Sequence, residues 1–141
     1  MSKVREIVGG RILNYVVQES TVADAARRMA ELQCGAILVL KDGQLKGVFS
    51  ERDLMRRVVL EGRDPERTIV RQVMTTSVAT IEDSATVEQA MEAMESHGCR
   101  HLPVMRGDAV AGFLSMRDVI HHELMQKTEE LHHMKAYIHG T

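Results

Sequence analysis

Two short segments of the chain bring together glycine, serine, arginine and aspartate at the same spacing. The pattern is Gly-φ-φ-Ser-x-Arg-Asp, in which φ is apolar, and it occurs at residues 47–53 and 112–118. Glycine allows close approach to the backbone, serine can donate or accept a hydrogen bond, and an ionised aspartate is a strong acceptor for hydroxyl groups. The arginine and the free N–H groups at the start of a helix can bind an anion. These residue types are therefore able to contact a ligand, and hydroxyl or anionic groups are the ones that they would bind.

The serine and aspartate of each segment also have a purely structural explanation. A Ser-x-x-Asp pair is typical of helix N-termini, where the serine caps the helix and the acid interacts favourably with the first turn. Ser50 with Asp53, and Ser115 with Asp118, can therefore act as helix caps, as ligand contacts or as both. The motif by itself leaves the two roles open.

Both segments lie inside a longer internal repeat, which organises the chain. Residues 20–54 align without a gap with residues 85–119 at an offset of 65, and ten of the 35 pairs are identical. In each copy a Thr-initiated helix is predicted first, followed by two segments of β-forming residues around a turn. The predicted strands are residues 36–40, 45–49, 102–105 and 110–114, with a further strand before each helix near residues 15–17 and 78–81.

The fold class that follows is α/β. Each copy has the order β-α-β-β-α, and one copy alone has too little apolar surface to cover its own sheet. We therefore expect two small sheets packed back to back, with the two copies related by a pseudo-two-fold axis.

The duplicated Gly-φ-φ-Ser-x-Arg-Asp pattern, together with the segment Arg100-His-Leu-Pro-Val104, resembles a pair of cystathionine-β-synthase (CBS) domains of the short stand-alone bacterial type. The resemblance covers about residues 10–122. It implies a first domain at 10–62, a second at 73–122 and a C-terminal helical extension at 123–141. It also implies a regulatory module for signal transduction, which binds an adenosine nucleotide such as AMP, ATP or NAD(H) and catalyses no reaction.

The resemblance assigns the aspartates to the ribose hydroxyls and places Arg100 and His101 near the phosphate. Because the first copy has Gly35 and Ala36 at those positions, its pocket is expected to be weaker or tuned to another ligand. The alternative for Arg100 and His101 is an arginine at a strand edge and a hydrogen-bonded histidine. The predicted nucleotide-binding residues are Gly47, Ser50, Arg52, Asp53, Val78, Arg100, His101, Pro103, Gly112, Ser115, Arg117 and Asp118.

Composition argues against several other classes of protein. The net charge is −2, aromatic residues make up 3% of the chain and tryptophan is absent, which disfavours nucleic-acid binding. No run approaches the roughly 18 apolar residues of a membrane span. Charged residues at 3, 5 and 6 argue against a signal peptide. Cys34 and Cys99 are predicted to be buried thiols in a reducing compartment, so we expect a cytoplasmic protein without a membrane partner.

The C-terminal segment is predicted to be a polar helix. Leu124, Leu131 and Ile138 recur every seven residues with Met134 beside them, which predicts homodimer contacts or packing within the chain. The histidine pairs at 121–122 and 132–133 lie about 16 Å apart along such a helix, too far to share one zinc ion.

Two functions remain open from the sequence. The first is a sensor that binds an adenosine nucleotide and thereby changes its affinity for an unnamed regulated protein. The second is a ligand-free dimeric interaction scaffold. An enzyme is disfavoured because the chain lacks a paired acid and base, and its 141 residues are too few for a (β/α)₈ barrel of the kind to which CBS pairs are attached in IMP dehydrogenase.

Overall fold

The structure, a computed structural model, describes residues 1–139 and confirms a mixed α/β fold with two repeats and a C-terminal helix. In chain order the elements are α1 (Val4–Val8), β1 (Tyr15–Val17), α2 (Val22–Leu32), β2 (Ala36–Lys41), β3 (Gln44–Ser50), α3 (Glu51–Asp53), a π-helical segment (Leu54–Val59), a 3₁₀ turn (Val70–Gln72), β4 (Ile81–Glu82), α4 (Val87–His97), β5 (His101–Arg106), β6 (Ala109–Ser115) and α5 (Met116–Ile138). The strand expected near residues 78–81 begins only at Ile81.

Each repeat folds into a three-stranded sheet, with the orders β1-β2-β3 and β4-β5-β6. In both sheets the first strand is parallel to the second, and the second is antiparallel to the third. The registers are equivalent, since Val39 pairs with Gly47 and Val104 pairs with Gly112, with an irregularity directly after each valine. The sequence offset of 65 therefore persists in the hydrogen-bonding pattern of the sheets.

The long helix of each repeat begins at the predicted threonine. The side chain of Thr21 accepts a hydrogen bond from the N–H of Asp24, and Thr86 accepts one from Gln89, both at 3.1 Å. Both helices end at a residue in the left-handed conformation, Gln33 and Gly98. The chain then reverses directly into β2 or β5, so that the end of each helix lies beside the start of a central strand.

The two repeats exchange their leading segments, which the sequence analysis did not anticipate. Helix α1 precedes the first repeat, yet Val4 and Val8 are buried in the core of the second. Conversely, Val70 and Val73 precede the second repeat and are buried in the core of the first. Each core is thus completed by residues from outside its own repeat, which explains physically why a single unit cannot cover its sheet.

Helix α5 runs without interruption through residue 123, where the sequence analysis had begun a separate extension. Its predicted apolar stripe is exposed: Leu124 by 61%, Leu131 by 58%, Met134 by 59% and Ile138 by 72%. The alternative that this stripe packs within the chain is therefore wrong for these four side chains. Residues 140 and 141 of the predicted extension lie outside the described residues. Within residues 1–139, no helix is both long and apolar enough to span a membrane.

Candidate functional site

A cleft of about 1840 Å³ lies between the two repeats. Its walls include residues 11–14 and 77–79, the C-terminal ends of α2 and α4, and the starts of α3 and α5. Small-molecule sites commonly measure about 300–1,000 Å³, so the space exceeds the needs of one nucleotide. The structure brings ten of the predicted residues into this cleft, and they are Ser50, Arg52, Asp53, Val78, Arg100, His101, Gly112, Ser115, Arg117 and Asp118.

The two motif glycines are explained by close packing within the chain, not by the approach of a ligand that was predicted. A Cβ atom on Gly47 would lie 2.5 Å from the backbone oxygen of Thr75, and one on Gly112 would lie 2.8 Å from Cβ of Val8. The close approach that demands glycine is therefore made by the exchanged segments of the chain itself. Gly47 does not line the cleft, whereas Gly112 does.

Pro103 is the other predicted residue that does not line the cleft. It lies in β5 opposite Phe113 and is buried. Proline at this position removes one backbone donor from the strand. We find no contact through which it would reach a ligand in the cleft.

Asp53 is buried, and its carboxylate is fully engaged by the protein. Oδ2 accepts hydrogen bonds from the backbone N–H of Ser50 at 3.0 Å and from its hydroxyl at 3.1 Å. Oδ1 accepts a hydrogen bond from the Thr75 hydroxyl at 3.0 Å and lies 3.8 Å from Nε of Arg57. The predicted capping role is therefore present, and both oxygens already have partners.

Asp118 has the same cap but a different outer partner. Its Oδ2 accepts a hydrogen bond from the N–H of Ser115 at 2.9 Å, and Ser115 Oγ in turn accepts one from the N–H of Asp118. Oδ1 forms an ion pair with Nη1 of Arg11 at 3.1 Å. The side chain of Asp118 is 22% exposed, and that of Arg11 is 50% exposed. This carboxylate is thus open to the cleft, apart from one arginine that reaches it from the N-terminal loop.

Three cations of the cleft are available to a ligand. Arg52, Arg100 and Arg117 are exposed, and none of them forms a salt bridge with another group in residues 1–139. Their guanidinium groups can therefore bind a phosphate without breaking an ion pair of the protein. The alternative of a simple strand-edge arginine stays open for Arg100, because an exposed residue directly before β5 also lines the cleft.

His101 lies at the boundary between the two repeats. Its ring stacks on Phe113, with the ring centroids 5.2 Å apart and the planes inclined by 29°. Burial lowers the pKa of His101, and the positive charge of Arg100 lowers it further, whereas Asp118 and Glu51 act in the opposite direction. The imidazole is therefore predominantly neutral near pH 7 and can accept or donate one hydrogen bond.

The unfolding free energy is expected to fall as the pH is lowered through and below 6.5, the ordinary pKa of histidine. Because the pKa of His101 is lowered from its ordinary value of 6.5, the unfolded chain binds more protons than the folded one between the two pKa values. The contribution of His101 to the unfolding free energy therefore rises with pH across that window and is absent below it. Urea unfolding of the wild type and of His101→Phe at several pH values measures this, and the variant should depend less on pH. Parallel curves for the two proteins would contradict the assignment.

The expectation that both cysteines are buried is wrong. Cys34 and Cys99 are half-buried free thiols, and both line the cleft. Burial raises the pKa of Cys34, and the nearby carboxylate of Glu51 raises it further. This thiol therefore remains protonated near neutral pH and is a poor nucleophile. Residues 1–139 contain no group of three or more His, Cys, Asp or Glu side chains placed to hold a metal ion.

Four side chains around the aspartates were missed by the sequence analysis. Thr75 and Arg57 hold Asp53, Arg11 holds Asp118, and Glu51 lies 3.5 Å from where a Cβ of Gly35 would be. The sequence carries only a weak signal for these side chains, because the segments upstream of the two repeats are hardly alike. When the offset of 65 is extended upstream, Val8 with Val73 is the only identical pair between residues 4–14 and 69–79.

Comparison with known proteins identifies the repeat. The family model of the CBS domain matches the chain twice, over residues 4–60 and 70–125. The chain is 33% identical over 131 residues to the mitochondrial CBS domain-containing protein CBSX3 of Arabidopsis thaliana, and the match covers 89% of this chain but 64% of the relative. It is 30% identical over 119 residues to the CBS domain-containing protein YhcV of Bacillus subtilis, and the match covers 84% of each protein.

A solved structure shows the same architecture. A protein of Burkholderia ambifaria with CBS domains, assigned to signal transduction, superposes with a TM-score of 0.79 at 33% sequence identity. The superposition covers 84% of this chain and 91% of that protein. The likeness therefore extends over both repeats.

Proposed function

This chain belongs to the CBS-domain family and carries a pair of such domains, and on that premise we propose that it is a regulatory module that binds an adenosine nucleotide in the cleft. Stand-alone proteins of this family are generally regulatory rather than catalytic, so no reaction is part of the proposal. The proposed ligands are AMP, ATP or NAD(H), and ligand binding changes the affinity for a regulated protein partner. The proposed compartment is the cytoplasm, although the plant relative is named as mitochondrial.

One arrangement carries this proposal. The carboxylate of Asp118 and the exposed guanidinium groups of Arg100 and Arg117 line the same cleft. A carboxylate accepts the two hydroxyls of a ribose, and guanidinium groups bind phosphate in a bidentate manner. A nucleoside monophosphate presents both groups a few ångströms apart. The neutral ring of His101 adds a polar group to the same cleft.

Adenine nucleotides are expected to stabilise the protein. A ligand at about 100 times its dissociation constant adds about 2.7 kcal/mol to the unfolding free energy, which raises the melting temperature of a domain of this size by several degrees. AMP, ATP and NADH should be compared with CMP by thermal unfolding. Equal and negligible shifts with all four would contradict nucleotide sensing and favour the ligand-free scaffold.

A homodimer is the second part of the proposal. Three pairs of exposed apolar side chains occupy equivalent positions in the two repeats, namely Met55 with Ile120, Val59 with Leu124, and Leu60 with Met125. Together with the stripe on α5, they form an apolar surface that follows the pseudo-two-fold symmetry of the chain. An isologous contact between two copies would bury it, and the same surface is what the scaffold alternative would use.

Light scattering is expected to give twice the chain mass of 15.8 kDa at micromolar concentration. Two charges placed on the proposed contact, Val59→Glu with Leu124→Glu, should shift the protein towards the monomer, because burying unpaired charges is unfavourable. Tyr15→Glu provides the control, since Tyr15 is exposed on the edge strand β1 of the first sheet. A wild-type monomer would remove the dimer from the proposal.

A further inference from the structure

The two aspartates of the cleft are equivalent in the repeat, but their free oxygens are occupied in different ways. In each case Oδ2 accepts the backbone N–H of the capping serine, which leaves Oδ1 as the oxygen without a backbone donor. The Oδ1 atom of Asp53 is held by Thr75, and that of Asp118 is held by Arg11. Whether a ribose can reach either carboxylate therefore depends on how easily its present partner can leave.

Thr75 is fixed beside Asp53. Its backbone N–H donates to the oxygen of Val48 at 2.9 Å, and its backbone oxygen accepts from the N–H of Val48 at 3.0 Å. The same backbone lies against Gly47 with no room for a side chain. The Asp53 side chain is only 8% exposed. A ligand could reach Oδ1 of Asp53 only if the Thr75 hydroxyl rotated away from it inside this enclosed site.

Arg11 is held far less firmly beside Asp118. Its side chain is 50% exposed, and it follows Gly10, whose positive φ of 79° is favoured by glycine. Among the described residues, the backbone of Arg11 makes one hydrogen bond, from its N–H to the oxygen of Val8 at 3.2 Å. Exposed ion pairs contribute little to stability, so the guanidinium can leave Oδ1 without disturbing the fold.

The charged side chains near the two aspartates also favour a ligand at Asp118 over one at Asp53. Where the second repeat has Arg100, the first has Gly35, and the carboxylate of Glu51 lies 3.5 Å from the Cβ position of that glycine. At the position equivalent to Glu51, the second repeat has the uncharged Met116. Both halves keep an exposed arginine, Arg52 or Arg117, and Glu51 also acts on His101. The difference in charge is therefore one of degree, and it favours a phosphate beside Arg100.

We propose that the chain binds a single nucleotide, at Asp118, and that Arg11 is the residue that selects a phosphorylated ligand. In the free protein Arg11 pairs with Oδ1 of Asp118. When a nucleotide binds, its ribose hydroxyls take that oxygen, and the guanidinium of Arg11 moves to the phosphate. The proposal rests on the proposed function. It also implies that ligand binding moves the N-terminal loop, because Arg11 is connected through Gly10 to α1.

Calorimetric titration of the full chain with AMP and with adenosine tests this assignment. For the wild type we expect one AMP per chain. Arg11→Ala removes both the competitor for Asp118 and the phosphate contact, so adenosine should bind up to about fivefold more tightly. The ratio of AMP affinity to adenosine affinity should fall by about 10- to 150-fold. Arg5→Ala is the matched control, because Arg5 lies on α1 near Arg11 but does not line the cleft.

The outcomes separate the inference from the function on which it rests. Two AMP molecules per chain would overturn the single site, and an unchanged affinity ratio in Arg11→Ala would overturn the role of Arg11. Both outcomes leave nucleotide sensing in place. If Arg11→Ala weakens AMP and adenosine equally, Arg11 supports the fold of the cleft and does not read the phosphate. If neither compound binds to the wild type or to either variant, the proposed function fails, and the inference fails with it.

Discussion

Asp118→Asn is expected to weaken AMP binding by about 10- to 150-fold, since hydrogen bonds to a charged group contribute about 1.5–3 kcal/mol. Asparagine caps a helix about as well as aspartate, so the hydrogen bond that Ser115 N–H makes to residue 118 is retained. The variant loses the ion pair with Arg11, which is half exposed. Its unfolding free energy should therefore fall by at most about 1 kcal/mol. Titration with AMP and urea unfolding of the same samples measure the two quantities.

Asp53→Asn is the matched control and should behave in the opposite way. Its carboxylate is buried, with hydrogen bonds from Ser50 and Thr75 and with Arg57 nearby. Replacing it removes charge-assisted hydrogen bonds from an enclosed site, which should lower the unfolding free energy by about 1.5–3 kcal/mol. AMP affinity should change little, because Thr75 already occupies the oxygen that a ribose would need.

The opposite pattern would reassign the two residues. If Asp118→Asn unfolds the protein but binds AMP normally, Asp118 is a structural cap and the proposed site is wrong. If AMP affinity falls equally in both variants, the two halves of the cleft are equivalent, and Thr75 must leave Asp53 when ligand binds. Normal binding in both variants would place the nucleotide elsewhere.

Gly47→Val should lower the unfolding free energy by about 3 kcal/mol or more, which is the upper end of the range for inserting atoms into a packed core. The new Cβ would lie 2.5 Å from the backbone oxygen of Thr75 and 3.0 Å from Sδ of Met74. The sulfur can move, but the backbone oxygen belongs to the segment that is hydrogen-bonded to Val48. Relief of the clash would therefore displace Thr75 from both Val48 and Asp53.

Two further glycine variants serve as comparisons, with the unfolding free energy of all three measured by chemical denaturation. Gly112→Val meets the side chain of Val8 on the short helix α1, which can shift more easily than a paired backbone, so we expect a smaller loss. Gly35→Ala meets only the Glu51 carboxylate at 3.5 Å, an ordinary contact, and should be nearly neutral. If Gly47→Val were as stable as Gly35→Ala, the close packing of residues 73–75 on β3 would be wrong.

Local sequence was sufficient for the main helices and strands of the repeats, but not for α1 or the 3₁₀ turn at Val70–Gln72. Helix caps at Thr21 and Thr86 and alternating β-forming segments act through neighbours a few residues apart, so their effect can be read directly from the chain. The offset of 65 then assigned the same order of elements to both halves, and the structure reproduces it in the strand registers. Because each motif follows a strand and begins a helix, the two aspartates had to lie at equivalent ends of the two sheets.

Tertiary structure alone decided which groups surround those aspartates. Asp53 is held by Thr75, which is 22 residues away, and Asp118 is held by Arg11 from the opposite end of the chain. Neither contact leaves a periodic signal, and the segments that carry them show almost no identity between the repeats. The same exchange of segments packs other parts of the chain against the motif glycines, a contact that the motif did not predict. Two equivalent carboxylates thus became unequal because packing placed a buried threonine contact beside one and a half-exposed arginine beside the other.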